Sequence, residues 1–132
     1  MNIRKNFCVD CGKDVIRKHI QRCKNCYLQN KISEANAKRF SEMVNTEGGS
    51  TIRFNGIRRL ARRVMELAGI AKQCKNCGWQ EHVEACHIRP LSEFYRLDSL
   101  VGEANDLSNL IYLCPNCHWL FDNGKLDSAA LV

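Results

Sequence analysis

Apolar and polar positions divide the chain into two regimes. In the first half the apolar residues follow a helical period. Leu28, Ile32, Ala35, Phe40, Met43 and Val44 recur at helix-like intervals and predict a helix over residues 27–47. Glu47-Gly48-Gly49-Ser50 breaks it and is the best candidate for a linker or hinge. A second helical region runs over 53–69 and stops at Gly69. On a wheel of 100° per residue, Leu60, Val64, Leu67 and Ala68 share one face of it, and Arg58, Arg59, Arg62 and Arg63 share another. Further along, the period shortens to two. Val83–Ile88 alternates as a strand and is ended by Pro90; Leu110–Leu113 is a second strand. Pro115 opens a helix that passes through His118 and Phe121 and halts at Asn123-Gly124. Leu91 to Asp106 is long for a bare hairpin loop, and a short helix is expected to start near Ser92 within it. Strand, loop, strand and helix after a helical half make the expected fold class α+β.

Cysteine changes that picture most. Eight of the nine cysteines fall into C-x2-C pairs: Cys8/Cys11, Cys23/Cys26, Cys74/Cys77 and Cys114/Cys117. Pairs at this spacing suit tetrahedral zinc, and repetition at four places makes the signal stronger than any one pair. Cys8-Val-Asp-Cys11-Gly12 has the form of a zinc knuckle, with Gly12 permitting the tight turn that aims both sulfurs at one ion. Residues 1–30 are therefore expected to be a four-cysteine zinc module too small to fold without its metal. Residues 31–73 are expected to be a basic helical segment, and residues 74–132 a second zinc module. Cys86 is left over. The opening residues carry no apolar signal core, and no apolar run nears the ~20 residues of a membrane span. We therefore expect a cytoplasmic protein, with metal rather than disulfides on the cysteines.

The formal charge of +6 overstates the positive field. Each zinc held by four thiolates contributes about −2, which brings the net charge to about +2. The distribution is more telling. Residues 1–30 hold 7 basic and 2 acidic side chains, residues 31–73 hold 9 and 4, and residues 74–132 hold 4 and 8. A polyanionic partner would be attracted mostly by the first 73 residues. The arginines of the second helical region read either as a solvated face or as phosphate ligands. Phosphate binding is favoured because no acidic residue interleaves before Glu66.

The strings Cys74-Lys-Asn-Cys77, Ala85-Cys-His-Ile-Arg-Pro90, Leu107-Ser-Asn-Leu-Ile-Tyr-Leu-Cys-Pro-Asn-Cys-His118 and Phe121-Asp-Asn-Gly124 occur in order over residues 74–124. In this combination the segment resembles the HNH endonucleases, the ββα-metal or His-Me finger nucleases. The resemblance implies a hairpin and helix gripping one metal ion, with a four-cysteine zinc stapling them. An extra N-terminal four-cysteine module is similar to that of some small HNH restriction and phage nucleases.

It also implies roles. His87 matches the general base, and an imidazole near neutral pH is suited to take a proton from water. Asn109 matches the middle residue, which orients that base and braces the loop; by itself it reads as a turn residue before a strand. His118 matches the metal-ligating His, and Asp122, four residues on, shares its helix face. Arg89 lies where it could touch a phosphate or pair with Glu84 or Glu93. Many relatives carry Asp or His in place of Cys86. That leaves Cys86 as a small buried residue, as a ligand for a softer ion, or with Asp122 standing in for the missing carboxylate. The first combined with the third is favoured. No role is assigned to Trp79, His82 or Glu84. Trp119 and Phe121 are expected to pack the helix on the hairpin, and Tyr27, Phe40 and Phe54 to lie in the core.

The resulting expectation is a metal-dependent endonuclease with two structural zinc ions and one catalytic divalent ion (Mg, Mn, Ni or Zn). It would act on double-stranded DNA as a restriction-like or as a phage or homing nuclease, with a homodimer suiting the restriction case. The alternative is a non-catalytic zinc-ribbon adaptor for nucleic acid. RNA cleavage by the same site is a weaker third reading.

Overall fold

The computed structural model describes residues 6–15, 21–44, 47, 49–127, 129 and 131. The end of the expected 27–47 helix (residues 45 and 46) and Gly48 of the expected hinge lie outside the described residues. The chain forms two compact units, Met1–Ala35 and Asn36–Val132. The architecture is mixed helix and strand, as expected, with one four-cysteine cluster in each unit.

In the first unit, β1 (Asn6–Phe7) and β2 (Asp14–Val15) pair antiparallel. The knuckle between them turns at Gly12, whose φ of +77° only glycine adopts without strain. Cys8 donates its backbone N–H to Lys13 and accepts from Gly12, which closes the turn around the sulfurs. Cys23–Cys26 lies at the start of α1 (Lys24–Asn36), so the second pair of thiols is set by a helix N-terminus.

The second unit begins with α2 (Phe40–Met43), α3 (Ser50–Arg53) and α4 (Asn55–Leu67). The helix expected over 27–47 is thus split. Arg39 is extended and bridges Leu100, while Val101 donates to the Lys38 carbonyl and Phe40 to the Ser99 carbonyl. Those tertiary bonds take the backbone out of the helix so that Phe40 can enter the core. α4 ends as its sequence predicts. Gly69 takes a φ of +70°, its N–H bonds the Glu66 carbonyl and that of Ile70 bonds Met65, the double bond of a Schellman motif. The buried stripe of α4 is Ile57, Ala61 and Met65, with Leu60 and Val64 half-buried and Ala68 exposed. The expected apolar face was therefore misplaced around the helix, although all four arginines are exposed.

After the knuckle at Cys74–Cys77 come β3 (Glu84–His87), α5 (Leu91–Arg96), α6 (Val101–Ala104), a 3-10 turn at Leu107–Asn109, β4 (Leu110–Leu113) and α7 (Pro115–Asp122). β3 and β4 pair antiparallel, with Glu84 opposite Leu113 and His87 opposite Leu110. The hairpin is buried on both faces. Leu110 and Tyr112 pack with Ala61 and Met65 of α4, whereas Cys86 and Leu113 pack with Cys114 and Cys117 at the α7 end. Side chains alternate along a strand, so residues 85 and 87 belong to the α4 face and residues 84 and 86 to the α7 face. A separate aromatic cluster of Phe40, Phe54 and Phe94 with Ile57, Leu91 and Val101 supports the long connection between the strands. Burying side chains of this size contributes about 1.5–3 kcal/mol each. Phe40 and Phe54 are core residues as expected, but Tyr27 is exposed, with the Lys31 ammonium 5.4 Å from its ring centroid. Trp119 is also exposed, while Phe121 packs against the cysteine cluster.

Candidate active site and metal centres

The two four-cysteine sets come together as clusters. Within each, the four sulfurs lie within 4.8 Å of one another. Cys11 and Cys23 sulfurs are 3.7 Å apart, as are those of Cys77 and Cys114. A tetrahedron with metal–sulfur bonds of about 2.3 Å has edges of about 3.8 Å, so the donors fit zinc, whereas a disulfide would need about 2.05 Å. Backbone hydrogen bonding from Cys23 draws the Cys8 thiol down to about 6, and the Cys23 side chain pushes Cys26 up. Four thiols so close cannot all ionise unless a cation joins them. In the second cluster the N–H of Cys77 points at the Cys74 sulfur and that of Cys117 at Cys114, one knuckle from the loop and one from the first turn of α7. The clusters could each bind zinc, and both groups of ligands expected from the spacing are brought together.

A cleft of about 690 Å³ runs along the open edge of β3, between α4 and α7. It is lined by His87 and Glu84 from β3, Arg58 and Phe54 from the α4 side, and His118 and Asp122 from α7. Among the described residues β3 pairs only with β4, which leaves its other edge to the cleft. His87 comes from the α4 face of the strand and His118 arrives over the opposite face, yet both reach this one space.

Cys86, His118 and Asp122 each place a ligand atom within 4.8 Å of the other two. His118 Nε2 is 3.4 Å from Asp122 Oδ2, and its Nδ1 is 3.4 Å from Glu84 Oε1. A metal-binding imidazole is commonly steadied by a carboxylate on its second nitrogen, and this ring has a carboxylate at each nitrogen. Cys86 is buried, and that burial, with the charges of Asp122 and Glu84, pushes its thiol up to about 12. The donor set of imidazole, carboxylate and thiol fits a divalent transition ion.

His87 is held by a residue outside the sequence reading. Its Nε2 is 2.7 Å from Asn105 Oδ1, and Asn105 Nδ2 donates to the Ile57 carbonyl of α4 at 3.1 Å. Burial holds the imidazole below its ordinary value. The Asn105 bond opposes this, and the Arg58 and His118 charges add to it. Asn109 contacts the backbone instead of the ring. Its Oδ1 accepts from Arg89 N at 2.7 Å, and its Nδ2 donates to the Ala104 carbonyl at 2.9 Å and to the Arg89 carbonyl at 3.3 Å. It clamps the chain two residues beyond His87 to the end of α6.

The arginines divide. Arg58 lines the cleft, and Arg62, one turn on, lines a neighbouring hollow that shares Glu84 with it. Arg63 pairs with Glu66 at 3.4 Å, and Arg59 is exposed. Arg89 does not line the cleft; its guanidinium lies 4.7 Å from the Phe94 ring centroid and pairs with Glu93. The residues missed from sequence are Glu84 and Asn105. Glu84 had a signal: it stands two positions before Cys86 and so must share its face of the strand. Asn105 had none beyond a turn-forming Ala-Asn-Asp string.

Residues 73–126 match the HNH endonuclease family. No curated protein and no solved structure matches the chain. The match implies a nuclease that acts on nucleic acid and uses a divalent metal. Among the described residues no helix is long and apolar enough to cross a membrane.

Proposed function

We propose that this chain, with its HNH endonuclease segment at residues 73–126, is a metal-dependent endonuclease hydrolysing phosphodiester bonds of double-stranded DNA. The observation that carries the reading is the single cleft shared by His87, His118, Asp122 and Arg58. His87 takes the proton from a water molecule while its oxygen bonds to phosphorus. The P–O3′ bond breaks, and the 3′ oxygen takes a proton from solvent, leaving 5′-phosphate and 3′-hydroxyl ends. His118 and Asp122 would hold the divalent ion, with the Cys86 sulfur beside them, and Glu84 steadies the His118 ring. When bound, that ion neutralises charge on the phosphate and the departing oxygen. Asn109 keeps the segment carrying His87 and Arg89 in place.

Residues 1–30 act as a zinc module and residues 31–73 as the basic segment that grips DNA, with Arg58 and Arg62 on the backbone nearest the cleft. Along a helix, four residues advance about 6 Å, close to the spacing of successive phosphates on one strand. Arg59, Arg63 and Arg89 contribute at longer range. Thiols spaced for metal rather than for disulfides suit a reducing cytoplasm. A restriction-like role would pair two copies on a palindrome.

The test is nicking of a sequenced plasmid by the zinc-loaded protein with Mg, Mn, Ni or Zn added. His87→Ala should abolish cleavage and keep zinc content and DNA binding. Binding without cleavage under any ion would instead favour the zinc-ribbon adaptor. Cleavage confined to an RNA substrate would correct the substrate, and the stagger of mapped cuts distinguishes a dimer from a nicking monomer.

A further inference from the structure

We infer that Asn105 is the positioning residue of the general base: it fixes the tautomer of His87, so that Nδ1 is the nitrogen that accepts the proton. The inference rests on the proposed role of His87 as base. The Ile57 carbonyl can only accept, so the end of the Asn105 amide that meets it at 3.1 Å is the NH2 group. The other end, 2.7 Å from His87 Nε2, is therefore the oxygen, and an amide oxygen can only accept. The hydrogen in that bond then belongs to Nε2. A neutral imidazole with hydrogen on Nε2 carries its lone pair on Nδ1.

The amide cannot be turned over at small cost. Reversal would set Oδ1 against the Ile57 carbonyl, acceptor against acceptor, and the residue is only 2% exposed, so water cannot repair that contact. Its backbone is held as well. Asn105 caps the end of α6, its N–H bonding the Val101 carbonyl at the start of that helix, and the neighbouring Ala104 carbonyl accepts from Asn109. Asn105 thus ties the ring on β3 to α4 at the residue preceding Arg58, which lines the same cleft. The two asparagines divide the work: Asn109 secures the backbone and Asn105 secures the imidazole.

The experiment uses full-length protein with its cysteine clusters zinc-loaded and no further ion added, labelled with 15N-histidine. Ring nitrogen signals of His87 are assigned by difference from His87→Ala. The wild type should show hydrogen on Nε2. Asn105→Leu, similar in size but unable to accept, should populate the other tautomer; once the divalent ion is added, its kcat should fall about 10–100-fold, part of what a general base contributes, with KM within about threefold. Asn105→Asp keeps an acceptor for Nε2 but sets a carboxylate oxygen against the Ile57 carbonyl and favours the imidazolium. Hydrogen should therefore stay on Nε2, the acid limb of kcat should move to higher pH, and kcat above that limb should exceed that of Asn105→Leu about tenfold. A wild-type ring with hydrogen on Nδ1 overturns the inference. So does a folded Asn105→Leu with unchanged ring signals or unchanged kcat. If Asn105→Leu does not fold, the wild-type spectrum and Asn105→Asp decide. The expected ring signature in a protein that cleaves nothing would count against the base role of His87 and leave the Asn105 contact standing.

Discussion

Replacing Asn109 with alanine should expose how much the active-site loop depends on one side chain. Asn109 is buried and makes two short hydrogen bonds to backbone, 2.7 Å to Arg89 N and 2.9 Å to the Ala104 carbonyl, with a longer third at 3.3 Å. Each short bond contributes about 1 kcal/mol net, and each buried group left without a partner costs a further 1–3 kcal/mol where water cannot enter. The long bond adds little. With partial relaxation of the loop, Asn109→Ala should lose about 2–4 kcal/mol. Urea unfolding followed by far-ultraviolet circular dichroism, at one fixed zinc concentration, measures this, because metal binding adds its own stabilisation. Asn123→Ala is the control. Its amide also bonds a backbone carbonyl, at 2.8 Å, but in solvent, so it should change stability by no more than about 0.5 kcal/mol. At a temperature where both forms are folded, Asn109→Ala should also lose at least about tenfold in kcat, because displacing a catalytic group by a fraction of an ångström is costly. A loss under about 0.5 kcal/mol would refute the clamp. A large stability loss with full kcat would refute its link to His87.

Three further outcomes follow from the same geometry. Burial, with smaller contributions from Arg58 and His118, holds His87 below 6.5. The neutral base therefore persists as pH falls through that value, and the acid limb of kcat against pH should lie below it. A limb above 6.5 would contradict the burial of the ring. Cys117→Ser should release one zinc and collapse the hairpin and α7, whereas Cys11→Ser should release one zinc and leave the second unit folded, as read by zinc stoichiometry and protease resistance. Arg58→Ala and Arg62→Ala should each weaken DNA binding and lower the slope of log K against log salt by about 1, with Arg63→Ala weaker because Glu66 already engages it. Equal effects at all three would mean that the helix acts only through its net charge.

The sequence by itself determined the local elements and the ligand groups. Alternation marked the first strand and a short apolar run the second, Pro115 and Asn123-Gly124 bounded α7, and Gly69 ended α4, because these signals act over a few residues of backbone geometry. C-x2-C spacing marked both four-cysteine clusters, because two thiols two residues apart can turn toward one ion in any fold. Tertiary structure decided what no local pattern encodes. It split the helix at Arg39, because bonds to Ser99, Leu100 and Val101 outweighed helical propensity. It chose Ile57, Ala61 and Met65 as the buried stripe of α4, because the hairpin packs on Ala61 and Met65 and the aromatic cluster packs on Ile57. It also separated the two asparagines, giving the backbone to Asn109 and the imidazole to Asn105, since the partners of Asn105 come from α4 and β3, 48 and 18 residues away in the chain. Hydrogen bonds of that reach form only once the packed helices have set the distances.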